Sequence, residues 1–197
     1  MIDRKRSATL MPVDAASLVY LSGETPWEID APQPALEALA AQEKLVGDVL
    51  DIGCGTGEVA LMLAARGHTV WAIDHSQEAI RRARAKAQDR ELDVTFVRGN
   101  VLELTVLGQQ FDTIIDCNFF PTLPREAYPA YLAGLAHVMY PHARLYLLVP
   151  ELSAKMIAPI FAHGWKLHKS LKSTYLTRAG EQSAMLMSFE WLGSENA

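Results

Sequence analysis

Val49-Leu50-Asp51-Ile52-Gly53-Cys54-Gly55-Thr56-Gly57 is the stretch that decides the fold. A short, largely apolar run ends abruptly in a glycine turn, as a buried parallel strand does when it hands over to a helix. Glu58 to Arg66 reads as that helix, and Gly67 stops it. The alternation then repeats. Thr69 to Asp74 is a second strand, and Ser76 is placed to cap a helix running to about Arg90. Asp93 to Arg98, Phe111 to Asp116 and Arg144 to Pro150 read as the next three strands, with a helix from Pro124 to Tyr140 between the last two. A helix from about Ser153 to His163 precedes two longer strands, Trp165 to Thr177 and Ser183 to Trp191. Upstream, Trp27 to Pro34 carries two prolines and reads as an extended lead-in to a helix from Pro34 to about Lys44. Such alternation predicts an α/β fold with a mostly parallel sheet covered by helices on both faces. Two successive strands at the end predict a closing antiparallel hairpin, for seven strands in all.

The glycine turn carries the chemistry. Its glycines let a ligand approach the backbone, and the helix behind it offers free N–H groups. A dinucleotide fingerprint needs glycine at the first, third and sixth positions, and counting from Gly53 the sixth is Glu58. A carboxylate there repels a pyrophosphate at a helix N-terminus. The alternate spacing Gly53, Gly55, Gly57 therefore argues against a nicotinamide oxidoreductase.

Val49 to Gly57 instead resembles the first motif of class I S-adenosylmethionine-dependent methyltransferases, and the resemblance continues through Asp74, Gly99-Asn100 and Phe111-Asp112. It implies a Rossmann-like fold with S-adenosylmethionine as cofactor and S-adenosylhomocysteine as product. It also implies that Asp51 holds the methionine part, that Gly53, Gly55 and Gly57 make room for it, and that Asp74 accepts both ribose hydroxyls. Asn100 stands where the family usually has an Asp that reads the adenine amino group, and an amide oxygen can make the same contact. Cys54, His75, Gly99, Val101 and Asp116 complete the implied cofactor set. A narrower resemblance, to the branch of thiopurine methyltransferases and enzymes acting on quinols and heterocyclic toxins, rests on the lead-in Thr25-Pro26-Trp27-Glu28-Ile29-Asp30-Ala31-Pro32-Gln33-Pro34. Tyr131-Leu132, Arg144 to Leu148 and Phe161 to Trp165 are similar to it too. In that branch the lead-in Trp folds over the cofactor; Trp27 either does so or packs the first helix onto the sheet.

Two departures limit the carry-over. The branch often has Phe-His after the fourth strand, where this chain has Phe120-Pro121, and Pro141-His142-Ala143 replaces the usual Pro-Gly-Gly. No general base is therefore assigned. Methyl transfer from a sulfonium tolerates this, since aligning acceptor and methyl with water excluded does most of the work. A thiol, phenol or heteroaromatic hydroxyl needs little help with its proton. Asn118, Phe119 and Phe120 follow the fourth strand at the carboxyl edge, where open sheets bind ligands, and are the candidate acceptor contacts. Tyr20 is a further candidate, closing over the site or packing at the surface. The two Phe residues read equally well as core. His137 and His142 are weak bases for the role, nothing near Cys117 marks an activated thiolate, and Met156, Met185 and Met187 read as core.

Composition bounds the rest. A chain of 197 residues suits one domain, taken as residues 16–197 behind a loose, charged arm at 1–15. The net charge of −5 argues against nucleic acid as a partner. Arg81, Arg82, Arg84 and Lys86 sit at helical spacing and read as a solvated face. Two cysteines give neither a disulfide framework nor a metal site. With no secretory signal and no apolar run of roughly 18 residues, the expected location is cytoplasmic, as monomer or homodimer. The expected partner is a small organic methyl acceptor. An amine or carboxylate acceptor, or a protein that binds the cofactor without turnover, remains the alternative.

Overall fold

The run at Val49–Ile52 forms β1, and all four of its residues are buried. Burial on both faces follows from its place in the computed structural model, which describes residues 15–23, 25–42, 45–161 and 163–193. β1 pairs in parallel with β2 (Val70–Asp74) on one side and with β4 (Phe111–Cys117) on the other. β3 (Thr95–Arg98) extends the sheet beyond β2. β5 (Met139–Pro150) lies parallel to β4, and β7 (Gly180–Trp191) and β6 (Trp165–Thr177) close the edge as an antiparallel hairpin. The order is β3-β2-β1-β4-β5-β7-β6 in one seven-stranded sheet, the doubly wound arrangement with a hairpin at its end.

Alternation along β1 divides the core. Leu50 and Ile52 face an apolar layer with Tyr131, Leu135 and Val138 of α5 (Tyr128–Val138) and Ile157 of α6 (Glu151–Ile157). Val49 faces the opposite layer, built from α2 (Pro34–Gln42), α3 (Glu58–Ala65) and α4 (Gln77–Asp89). The Ser76 hydroxyl accepts the Ala79 N–H at 3.2 Å, which is the expected N-cap of α4. A further helix, α1 (Ala15–Ser22), packs near α4 and went unassigned in the sequence reading. The arm expected at 1–15 otherwise lies outside the described residues, as does Lys44.

Several boundaries differ from expectation, among them β7, which starts at Gly180 rather than Ser183, and three differ for a clear local reason. The helix predicted from Pro124 to Tyr140 is a 3-10 turn at Arg125–Ala127 followed by α5, which stops at Val138. Met139 already pairs with Phe111, and the Gln110 side-chain amide donates to the carbonyls of His137 and Met139, so β5 starts earlier than Arg144. The helix predicted to His163 ends at Ile157, because Pro159 has no N–H and leaves a 3-10 turn at Ala158–Ile160. Met187 is buried as expected, but Met156 is exposed on α6 and is not core.

Candidate functional site

β1 ends against the carbonyl of Ile73, which accepts the N–H groups of Gly53 at 2.8 Å and Cys54 at 3.1 Å. The chain then turns through left-handed conformations at Gly53 (φ 65°) and Gly55 (φ 54°), which L side chains adopt only under strain. Space demands glycine as well. A Cβ on Gly53 would meet the Phe119 ring at 2.5 Å, and one on Gly55 would meet the Tyr20 hydroxyl at 2.8 Å. The loop is thus held between an aromatic ring from the segment after β4 and another from α1. Trp27 Nε1 donates to the Tyr20 hydroxyl at 3.0 Å, and the two rings meet edge to face.

Beside this loop opens a cavity of about 410 Å³, at the carboxyl ends of β1, β2 and β4. Of the residues singled out for a cofactor, its wall contains Trp27, Asp51, Gly53, Cys54, Gly55, Gly57, Asp74 and His75. Of those singled out for an acceptor, it contains Tyr20, Asn118 and Phe119. The others lie elsewhere. Phe120 is fully buried and stacks against Tyr128 and Tyr131, so it belongs to the core. Val101 is core too. Gly99 is outside the wall, its N–H donating to the Asp74 carbonyl at 3.0 Å, and Asn100 caps the 3-10 turn that follows, its side-chain oxygen accepting the Leu102 N–H at 3.0 Å.

Asp116 is a brace behind the wall. It accepts the Phe119 N–H at 2.8 Å, the Phe120 N–H at 3.1 Å and the Tyr131 hydroxyl at 2.6 Å. Burial pushes its carboxyl up to about 6, against the pull of these donors. The brace turns the chain sharply, leaving Asn118 at φ 64° and Phe119 over the glycine loop. Tyr131→Phe is expected to destabilise the fold by about 1–3 kcal/mol by removing the shortest hydrogen bond to a buried carboxyl group, leaving Oδ2 only the longer bond from the Phe120 N–H. Thermal melts check this; an unchanged melting temperature would show the hydroxyl to be dispensable.

Asp74 closes β2 with both oxygens engaged: Oδ2 accepts the Gly55 N–H at 2.9 Å and Oδ1 the Ser76 N–H at 2.8 Å. Asp51 is different. Both of its oxygens are buried with no hydrogen-bond partner among the described residues. Burial, then the nearby Asp116 carboxylate, pushes its carboxyl up to about 8; the backbone N–H of Ala60 pulls the other way without reaching hydrogen-bond geometry.

The far bank of the cavity went unseen in the sequence reading. Tyr175 of β6 lines the wall, and burial pushes its phenol well above the usual range. The Gln33 side chain makes two bonds to the backbone of Leu176, at 2.9 and 2.7 Å. Arg178 donates its backbone N–H to Pro26 at 2.9 Å and its Nε to the Glu28 carbonyl at 2.8 Å. The lead-in is therefore stitched to the terminal hairpin across the cavity mouth. A polar Gln and an Arg in a hairpin turn give no periodic signal, so only the pairing of distant segments reveals them. Among the described residues no helix is long and apolar enough to cross a membrane.

Comparison with known proteins agrees with this arrangement. Residues 49–142 match the family profile described as a methyltransferase domain. The chain is 38% identical over 135 residues to 2-heptyl-1-hydroxyquinolin-4(1H)-one methyltransferase of Mycobacteroides abscessus, a match spanning 68% of this chain and 60% of that protein. An uncharacterized methyltransferase of Schizosaccharomyces pombe is 32% identical over 104 residues, 53% of this chain and 72% of its own. Among solved structures, one described by the conversion of a disulfide bond into a thioacetal group during echinomycin biosynthesis superposes with a TM-score of 0.80. It is 31% identical, covering 90% of this chain and 93% of its own. The N-methyltransferase NodS of Bradyrhizobium japonicum, in complex with S-adenosyl-L-homocysteine, shares the fold with a TM-score of 0.73 at 17% identity, over 89% of this chain and 96% of its own.

Proposed function

The chain belongs to the class I S-adenosylmethionine-dependent methyltransferases, and from that membership we propose that it methylates a small organic acceptor, a heteroaromatic hydroxyl, phenol or thiol, in the cavity beneath the lead-in. When bound, S-adenosylmethionine supplies a methyl group already activated by its sulfonium. The residues present suit it. A buried carboxyl group with no partner among the described residues, Asp51, matches an ammonium group. Gly53 and Gly55 keep the backbone approachable where a Cβ would collide. Asp74 retains oxygen lone pairs at the end of β2 beyond the two backbone N–H groups it accepts.

What carries the acceptor reading is the character of the wall. Tyr20, Trp27, Phe119 and Tyr175 bring four aromatic rings to it, and His75 is its one histidine among the described residues. That histidine sits 3.7 Å from Asp74, toward the cofactor side. Such a cavity can orient a flat acceptor and exclude water, and it offers little to remove a tightly held proton. An acceptor that ionises easily, or attacks through a soft sulfur, fits that chemistry. The hydroxyquinolone relative and the sulfur chemistry of the echinomycin relative support the same class.

The test has two stages. Calorimetry with S-adenosylmethionine, S-adenosylhomocysteine and NAD should show micromolar binding for the first two and none for the third. Incubation with thiols, phenols, hydroxyquinolines and amines side by side, read by mass spectrometry, should then yield methylated oxygen or sulfur products. Methylation confined to amines, carboxylates, protein or RNA would refute the proposal. Binding without any turnover would move the chain to the non-catalytic reading.

A further inference from the structure

The basic stretch of α4 looks in sequence like a solvated face, yet two of its cations reach across to the chain that covers the cavity. Arg82 donates to the Tyr20 carbonyl at 2.7 Å, is fixed from below by Glu78 at 2.8 Å, and stands 3.9 Å from Glu28 Oε2. Lys86 bonds Thr56 and Glu58 of the loop and helix start, each at 2.8 Å, and stands 3.9 Å from Asp30. The two banks of the cover are unequal. On the hairpin bank Gln33 and Arg178 make close bonds to the backbone. On the α4 bank, beside the packing of α1 on α4, the polar ties are one charged bond to a carbonyl and two ion pairs at the limit of contact. Glu28 adds an independent sign of an incomplete closure: its Oε2 accepts from Thr25 at 2.8 Å, but its Oε1 is buried without a partner among the described residues. A small advance of the lead-in toward α4 would bring that carboxylate fully onto Arg82.

We propose that Arg82, assisted by Lys86, is the latch of a strap formed by residues 20–23 and 25–33, a positioning residue that sets how long the cofactor stays in the cavity. The hairpin bank, which holds Pro26 and Glu28 on either side of Trp27, is the hinge, and the Tyr20 end beside α4 opens. Tyr20 rides on the opening end, so release of the latch lifts its hydroxyl from Gly55 and from the Trp27 N–H and loosens the cover on the glycine loop. Arg82 touches no reacting group in this arrangement. The inference rests on the cofactor lying in this cavity.

Dissociation of S-adenosylhomocysteine from the full chain, followed by stopped-flow tryptophan fluorescence and calorimetry, tests it, with Trp27→Phe assigning the signal. Arg82→Gln is expected to speed release roughly ten- to thirtyfold, the loss of one charged hydrogen bond and its ion pair. Arg82→Lys should recover part of the lifetime. Arg84→Gln, which removes the same charge from the same helix but contacts only the Phe96 carbonyl, should leave release unchanged. Release from the wild type should quicken with salt, and Arg82→Gln should flatten that dependence. Hydrogen exchange of the unliganded variant should rise in residues 20–23 and stay constant at 176–178. Equal release rates for wild type and Arg82→Gln, or an equal effect of Arg84→Gln, would overturn the latch. Tight binding that ignores both Asp51→Asn and Trp27→Phe would instead show that the cofactor lies elsewhere.

Discussion

Asp51→Asn is expected to weaken S-adenosylmethionine binding by two to three orders of magnitude and, in the same protein, to raise the melting temperature of the unliganded chain. Both effects come from one carboxyl group. Its oxygens are buried without partners, and burial together with Asp116 raises its pKa from 3.8 to about 8. Between those two values the folded chain holds a proton that the unfolded chain has released, so stability falls as pH rises through that window. Asparagine carries no charge to desolvate and removes the slope. The variant should therefore match the wild type near pH 4 and exceed it increasingly toward pH 8, by roughly 2–4 °C for each kcal/mol relieved. Binding has the opposite sign. A ligand ammonium selects the ionised carboxylate, so wild-type affinity should climb between pH 6 and 8 by up to about tenfold per unit. It should level off as the ligand's own amine loses its proton near pH 8. The variant should bind weakly at every pH, because a buried charge pair broken on one side costs about 3–5 kcal/mol. Calorimetry and thermal melts across that range check both halves. A variant that binds normally, or melts earlier, would remove Asp51 from the site.

That opposition also explains which parts of the site were legible in sequence. Asp51, Gly53, Gly55 and Asp74 sit where a strand ends and a helix begins, and strand burial and glycine geometry fix them locally. The seven strands and the terminal hairpin followed from the same alternation, whereas their order in the sheet came only with the structure. Phe119 and Phe120 were inseparable because both are large and adjacent. What separates them is the Asp116 brace, which turns one ring over the loop and sends the other into the core. The resemblance put Asp116 in the cofactor set, and nothing in its local sequence marks it as a brace behind the wall. Tyr175, Gln33 and Arg178 were invisible for a different reason. Their roles depend on β6 returning beside the lead-in, a contact between segments more than 140 residues apart. α1 is short and largely apolar, without the polar face that marks an amphipathic helix, so Tyr20 could not be placed until its partner Trp27 was.

Gly55→Ala is the second large effect, and a double-mutant cycle with Tyr20→Phe makes it diagnostic. Alanine at φ 54° carries a left-handed penalty of about 1–2 kcal/mol whatever surrounds it. Its Cβ would also stand 2.8 Å from the Tyr20 hydroxyl, an atom held by Trp27 Nε1. Tyr20 is buried, so its ring cannot simply tilt away into solvent. The strap must lift, and Trp27 lifts with it. The combined cost is expected at roughly 2–4 kcal/mol, shared between melting temperature and affinity for S-adenosylhomocysteine. Tyr20→Phe alone should cost less, by leaving the Trp27 N–H without its acceptor. In the double variant the colliding oxygen is gone, so the two losses should fall short of their sum. Only the backbone strain and the lost Trp27 bond should remain, and part of the affinity should return. Strictly additive losses would mean that the methyl never meets the tyrosine, and that the strap does not press on the glycine loop.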